Sequence, residues 1–297
     1  MPEPLTTVDG VSASAITVPR GDWPHVLAFL VAQFPHVPTC EWRLRLAAGQ
    51  VTADGVAVAA DTPLREGLRL RYFRNVADEP ASVAPLRVVY RDAHLLVIDK
   101  PPFVPVTPAG RFVQQSLLVR LKRELGLEDL APLHRIDRLT SGLVMFSVAP
   151  ASRAAYRELF AAQAIEKYYE ARSAAVVGDD FPRRRRSRLT RGEPFFRRRE
   201  VDGPPNSETG IDVLERSARG TRFWLTPVTG RTHQLRVHMA ALGAPLLNDP
   251  WYPNLLDEKP DDPSAPLQLV ARRLAFIDPL TATLRCFDSQ FRCEELG

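Results

Sequence analysis

The apolar residues of this 297-residue chain come in short runs that switch between the period of a strand and the period of a helix, which limits what it can fold into. LRVVY and LLVIDKPP flank the turn RDAH and read as a hairpin. Further strands are expected over 143–148, 167–177, 211–215, 221–228 and 267–276. Helices are expected over Ser116–Leu125, around Ser152–Gln163 and over Thr232–Leu242, where Leu235, Met239 and Leu242 form one stripe. Strands interspersed with helices through short connections predict an α+β fold, a mixed, largely antiparallel sheet with flanking helices. No run of about 18 apolar residues occurs, so no transmembrane helix is expected. The N-terminus lacks a basic start followed by an apolar core, so no secretory signal is expected. Cys40, Cys286 and Cys293 are too few and too scattered for a disulfide framework or a zinc site, which favours the cytoplasm.

Residues 1–20 read as poorly structured, and a small N-terminal module is expected over 16–76. DWPHVLAFLVAQF places Val26, Leu27, Leu30, Val31 and Phe34 on one helical face, with Asp22 as the expected cap. TCEWRLRLAAG gives a second helix that stops at Gly49, and QVTADGVAV gives a hairpin turning on Asp54-Gly55. LRLRYF alternates as a half-buried strand. This order resembles the small alpha-L RNA-binding fold. The resemblance implies an RNA contact by the basic residues of the second helix, here Arg43 and Arg45. The proline-containing stretch 74–85 reads as a linker to a larger domain over 83–297.

Charge is placed unevenly. The formal net charge is +4, yet the stretch FPRRRRSRLTRGEPFFRRRE, residues 181–200, holds nine arginines against two glutamates. It reads as one basic loop, the footprint of a polyanion. The charge is arginine without lysine, and Phe195 and Phe196 interleave it. Guanidinium forks bind phosphates and aromatic faces stack on unpaired bases, so RNA is the expected partner of Arg183, Arg184, Arg185 and Arg186.

Two segments are dense in polar groups beside apolar runs. LHRIDRLTSG, residues 133–142, leads into LVMFSV, and TGRTHQLRVH spans residues 229–238. A polar loop at the edge of a core is where catalytic groups are commonly held. HRIDRLTSGLVMFS resembles the catalytic signature of the RluA-type pseudouridine synthases, and TGRTHQLRVH is similar to a second motif of that family. VVYRDAHLLVIDKPP, EKYYEA and LQLVARRLAFIDP resemble three further family segments in the family's order. Departures are Ile136 for Leu, Val104–Pro108 in place of Val-His-Pro, Asn248–Tyr252 in place of Gly-Asp-x-x-Tyr-Gly, and Val270 where His is frequent.

The resemblance implies isomerisation of uridine to pseudouridine in structured RNA, ribosomal or transfer, with the nucleotide flipped into a pocket and no metal or other cofactor. It implies that Asp137 is the catalytic carboxylate, attacking the anomeric carbon or removing a sugar proton. Arg231 is expected to pair with Asp137, Tyr169 to pack on the flipped base and Arg135 to fill the gap that the base leaves. Tyr168 should face away from its neighbour. His134, His233 and His238 read as satisfied structural histidines, and Lys100 as lining the site. The expected protein is a cytoplasmic monomer with no membrane association. The alternative is a non-catalytic RNA-binding or ribosome-assembly protein on the same fold, against which intact Asp137, Tyr169 and Arg231 argue.

Overall fold

A computed structural model describes residues 7–8, 10–73, 79, 84–257 and 259–294. The expected linker over 74–85 lies almost entirely outside these residues. The chain divides into two compact units, residues 1–80 with 110–114, and residues 81–109 with 115–297.

In the first unit a short hairpin, β1 (Thr7–Val8) and β2 (Val11–Ser12), precedes β3 (Ser14–Thr17), α1 (Val26–Gln33), α2 (Thr39–Ala47), β4 (Val51–Ala53), β5 (Val56–Ala57) and β6 (Arg69–Tyr72). The four later strands make an antiparallel sheet in the order β3-β6-β4-β5. β3 falls in the stretch read as poorly structured. It is too short to carry a periodic signal, and its pairing with β6 is what orders it. Asp54 and Gly55 both have positive φ, 49° and 82°, as a two-residue turn of this type requires. The expected cap Asp22 is not used. Pro24 disfavours helix at the residue before it, so α1 starts later, with His25 Nδ1 accepting the Ala28 amide at 3.1 Å. Val26, Phe29, Leu30, Trp42, Val51 and Leu70 form the core. Arg45 does not present itself to a ligand as expected. It lies three residues after Trp42 and four after Glu41 on α2, so its guanidinium packs on the indole and pairs with that carboxylate while buried. Arg43 is exposed.

The second unit is built on one sheet whose main path runs β13-β12-β14-β15-β11-β16-β10-β8-β7. In chain order its elements are β7 (Arg87–Arg91), β8 (Leu95–Lys100), α3 (Leu117–Leu125), β9 (Ala131–Pro132), β10 (Ser141–Ser147), α4 (Arg153–Ala161), β11 (Glu166–Ser173), β12 (Arg184–Arg191), β13 (Arg198–Val201), β14 (Ser207–Ser217), β15 (Gly220–Pro227), α5 (Gln234–Ala241), β16 (Leu269–Ile277) and β17 (Leu284–Asp288). β9 adds to β10 and β17 to β16. Among the described residues every pairing in this sheet is antiparallel except β10 with β16, so the sheet is mixed and largely antiparallel.

The apolar runs explain the middle of the sheet. Successive strand residues point to opposite faces. Leu95, Val97, Leu143 and Met145 meet Tyr156 of α4, whereas Leu96, Ile98, Val144 and Phe146 meet Leu117 and Leu121 of α3. β8 and β10 are therefore covered on both faces, which is why they read as unbroken hydrophobic runs. α5 lays Leu235 and Met239 against Ala171, Ile211, Phe223 and Leu225. Gly142 marks the parallel contact. Its φ is +108°, and a Cβ there would lie 2.3 Å from the Ala271 carbonyl oxygen.

The arginine stretch is not one loop. It forms the hairpin β12–β13, with β12 also paired to β14. Its strands were not legible because almost no apolar alternation marks them; cross-strand charge does the work instead. Arg184 and Arg186 reach Glu208 at 3.2 Å each from one face, Arg185 pairs with Glu200 on the other, and Arg183 lies 3.5 Å from Asp212. All four arginines have a carboxylate partner, although Arg183, Arg184 and Arg186 keep more than half their side chains exposed.

Candidate active site

The loop before β10 and the turn before α5 meet over a cavity of about 470 Å³, within the size range of small-molecule sites. Arg135, Asp137, Tyr169, Arg231, His233 and Arg236 are among its lining residues. The loop carrying Asp137 is pinned at both ends. His134 Nε2 accepts the Met145 amide at 3.0 Å and its ring stacks on Phe160, 4.8 Å between centroids. Lys100, fully buried, donates to the carbonyls of Pro101 at 2.8 Å and Arg138 at 3.1 Å, the latter one residue beyond Asp137. Burial pulls the Lys100 pKa down to about 7, with the charge of Asp137 opposing and that of Arg138 assisting.

The Asp137 carboxylate faces Arg236. Arg236 Nη1 lies 3.3 Å from Oδ2. The expected Arg231–Asp137 pair does not form. Arg231 is exposed, its Nε donates to the Asn206 carbonyl at 3.0 Å and its amide to Gln234 Oε1 at 3.1 Å. The reason is local backbone geometry. His233 adopts a left-handed conformation, φ 57°, and α5 begins only at Gln234. Arg231 thus precedes the turn, while Arg236 sits in the first helical turn and points inward. Helical spacing cannot be extended across such a turn, so the two arginines of the motif could not be told apart by periodicity.

Arg236 is held from behind. Asp249 accepts from its Nε at 2.8 Å and Nη2 at 2.7 Å, a bidentate fork, and also accepts the amides of Trp251 and Tyr252. The rings of Trp251 and Tyr252 lie 4.8 and 5.1 Å from the guanidinium. Burial opposes the charge on Arg236, but Asp249 and Asp137 outweigh it and hold its pKa above the ordinary arginine value. The departure Asn248-Asp249-Pro250-Trp251-Tyr252 therefore supplies the support for the arginine that touches Asp137. In the sequence the only signal for this was an acidic residue beside two aromatics, far along the chain.

Tyr169 projects into the cavity from β11, at a register shift between Tyr168 and Tyr169 that re-aims successive side chains. Burial raises its hydroxyl pKa, and the nearby charge of Asp137 adds to this. Tyr168 turns to the other face, stacking on Trp224 and donating to Glu166. Arg135 is exposed where it lines the cavity.

The three histidines differ in setting. His238 is buried between Thr209 Oγ1 on Nδ1 and the hydroxyls of Ser187 and Ser207 on Nε2. His233 lies beside Asp137, with Nε2 3.9 Å from Oδ1. Burial lowers all three, His134 to about 3 and His233 and His238 to about 4. Their folded pKa values fall below the ordinary 6.5, so the unfolded chain binds more protons as pH drops through 6.5 towards 4. Stability is expected to be full above 6.5 and to fall below it. Unfolding midpoints between pH 7 and 4.5 check this: the plot of log unfolding constant against pH should steepen towards about three protons taken up.

Among the described residues no group of three or more His, Cys, Asp or Glu side chains could hold a metal ion, and no helix is long and apolar enough to cross a membrane.

The mixed, mostly antiparallel sheet is shared with solved pseudouridylate synthase domains. The human RNA pseudouridylate synthase domain containing 1 superposes with a TM-score of 0.55 over 73% of this chain and 94% of that chain, at 24% identity. Residues 94–241 match the RNA pseudouridylate synthase family. An uncharacterized RNA pseudouridine synthase of Synechocystis sp. is 33% identical over 234 residues, covering 76% of this chain and 79% of that protein. The dual-specificity RNA pseudouridine synthase RluA of Haemophilus ducreyi is 31% identical over 222 residues, 69% of this chain and 93% of that protein. The human pseudouridylate synthase RPUSD2 is 35% identical over 192 residues, 61% of this chain and 34% of that protein. The chain belongs to the RNA pseudouridine synthase family, RluA type.

Proposed function

We propose that this protein isomerises specific uridines of structured RNA, ribosomal or transfer, to pseudouridine, with Asp137 as the catalytic carboxylate. The observation that carries the reading is the ion pair between Asp137 and a buried, doubly anchored Arg236 over the cavity. Breaking the glycosidic bond builds positive charge on the sugar, and a carboxylate fixed in direction by a guanidinium meets that charge. The uracil ring, freed from the sugar, turns so that carbon 5 bonds to the same sugar carbon; carbon 5 then gives up its hydrogen as a proton and the freed ring nitrogen takes one up, so that the product is an isomer. Tyr169 packs on the flipped base, and Arg135 occupies the place the base vacates. The first unit adds RNA contacts through Arg43. The protein works as a cytoplasmic monomer. Incubating it with ribosomal and transfer RNA and mapping pseudouridine tests the reading; no new pseudouridine in either RNA would overturn it.

The arginine hairpin supplies phosphate contacts. Exposed ion pairs contribute little, so RNA phosphates displace Glu208 from Arg184 and Arg186. Replacing both by Gln should lower the slope of log affinity against log salt by about 1.5, at roughly 0.7–0.9 per phosphate contact. Arg185→Gln should instead reduce thermal stability with little change in slope, because Glu200 holds that guanidinium. Filter binding across a salt series distinguishes the two; an unchanged slope in the double variant would remove this face from the RNA contact.

A further inference from the structure

His233 has no role in the proposed reaction, yet its ring stands against the Asp137 carboxylate and its other nitrogen meets a buried hydroxyl. Tyr252 Oη is contacted by the Arg198 amide at 2.7 Å and by His233 Nδ1 at 2.9 Å. An amide only donates, so the Tyr252 oxygen accepts from Arg198. Tyr252 is buried, and among the described residues its hydroxyl has no acceptor besides His233 Nδ1; the arrangement that leaves no buried O–H unsatisfied has the hydroxyl donating to an unprotonated Nδ1. A neutral imidazole with an accepting Nδ1 carries its hydrogen on Nε2. Nε2 is the atom 3.9 Å from Asp137 Oδ1, on the opposite carboxylate oxygen from Arg236. That separation is too long for a hydrogen bond as it stands, but catalytic hydrogen bonds often shorten only once substrate is bound.

We propose that His233 is a positioning residue for Asp137, locked by the Tyr252 hydroxyl in the tautomer whose Nε2–H faces the carboxylate, with the arginine hairpin setting the direction of that hydroxyl. Arg236 fixes one carboxylate oxygen and His233 the other, so the carboxylate is held against rotation. The hairpin is part of the device. The Arg198 amide begins β13, the Arg197 guanidinium lies 5.0 Å from the Tyr252 ring and donates to the Pro253 carbonyl at 2.9 Å. Farther out along the hairpin, Phe196 packs on Trp251, which packs on His233, with centroids 5.0 and 5.1 Å apart. The same strand pair that offers arginines to RNA thereby sets the hydrogen-bond direction at the carboxylate.

The inference rests on the proposed activity, and the test separates the two. Single-turnover rate at saturating RNA and RNA affinity are measured for wild type, Tyr252→Phe, His233→Gln, His233→Phe and the double variant Tyr252→Phe with His233→Gln. A glutamine at 233 keeps an N–H at the place of Nε2 without needing Tyr252 to choose its tautomer. Tyr252→Phe should lower the rate about tenfold with affinity within about twofold, and His233→Phe at least as much. His233→Gln should stay within about threefold of wild type, and adding Tyr252→Phe to it should cost nothing further. A purely structural Tyr252 hydroxyl would give the same loss in both backgrounds and would overturn the inference, as would a wild-type rate in Tyr252→Phe. Inactive wild type would overturn the activity itself. Thermal midpoints for each variant identify any loss due to unfolding, and His233→Gln then decides by rescue.

Discussion

Asp137→Asn will bind RNA with near wild-type affinity, keep its fold and form pseudouridine at least about 10³-fold more slowly, the scale of loss when a group that reacts with substrate is removed. The amide preserves the shape of the side chain. It removes the negative charge that Arg236 faces at 3.3 Å and that, on the proposed reading, meets the developing positive charge on the sugar. Single-turnover kinetics with a validated RNA, together with a binding curve, check both halves. A residual rate within tenfold of wild type would remove Asp137 from the chemistry. A loss of affinity of the same size as the loss of rate would assign it to binding.

Arg236→Lys will be severely impaired, by about 10²-fold or more in rate, whereas Arg231→Lys will stay within about threefold. Lysine keeps a charge at 236 but cannot hold Asp249 through a two-pronged fork while also reaching Asp137. Arg236→Gln goes further, leaving the buried Asp249 carboxylate without its cation, and is expected to cost about 3–5 kcal/mol of stability. Among the described residues the hydrogen bonds of Arg231 go to the Asn206 carbonyl and to Gln234, so a lysine there disturbs a turn and not the carboxylate. Turnover and thermal midpoint measured together for the three variants settle the order. Equal losses at 231 and 236 would show that the turn before α5, and not the ion pair, sets the rate.

Much of this molecule was determined by sequence alone. The runs LLVID and LVMFS specified two strands covered on both faces, because alternation is lost only where both sides are apolar. Asp54-Gly55 specified its turn because few residue pairs accept positive φ twice. The segment HRIDRLTSG placed a carboxylate beside a buried strand, and the glycine that ends it is demanded by the approach of β16. Other features were decided only in three dimensions. Whether Arg231 or Arg236 meets Asp137 depends on a left-handed residue at 233, which no periodicity reports. The anchoring of Arg236 depends on Asp249, thirteen residues on and across a fold of the chain. The arginine stretch and Arg45 carried the same formal charge in the sequence as any exposed cation. Their partners Glu200, Glu208 and Glu41 are brought to them by strand pairing in one case and by helical repeat in the other. Local preference fixes where the chain turns and which face is apolar; which charges meet is set by packing, because a Coulomb partner is chosen by distance in space and not along the chain.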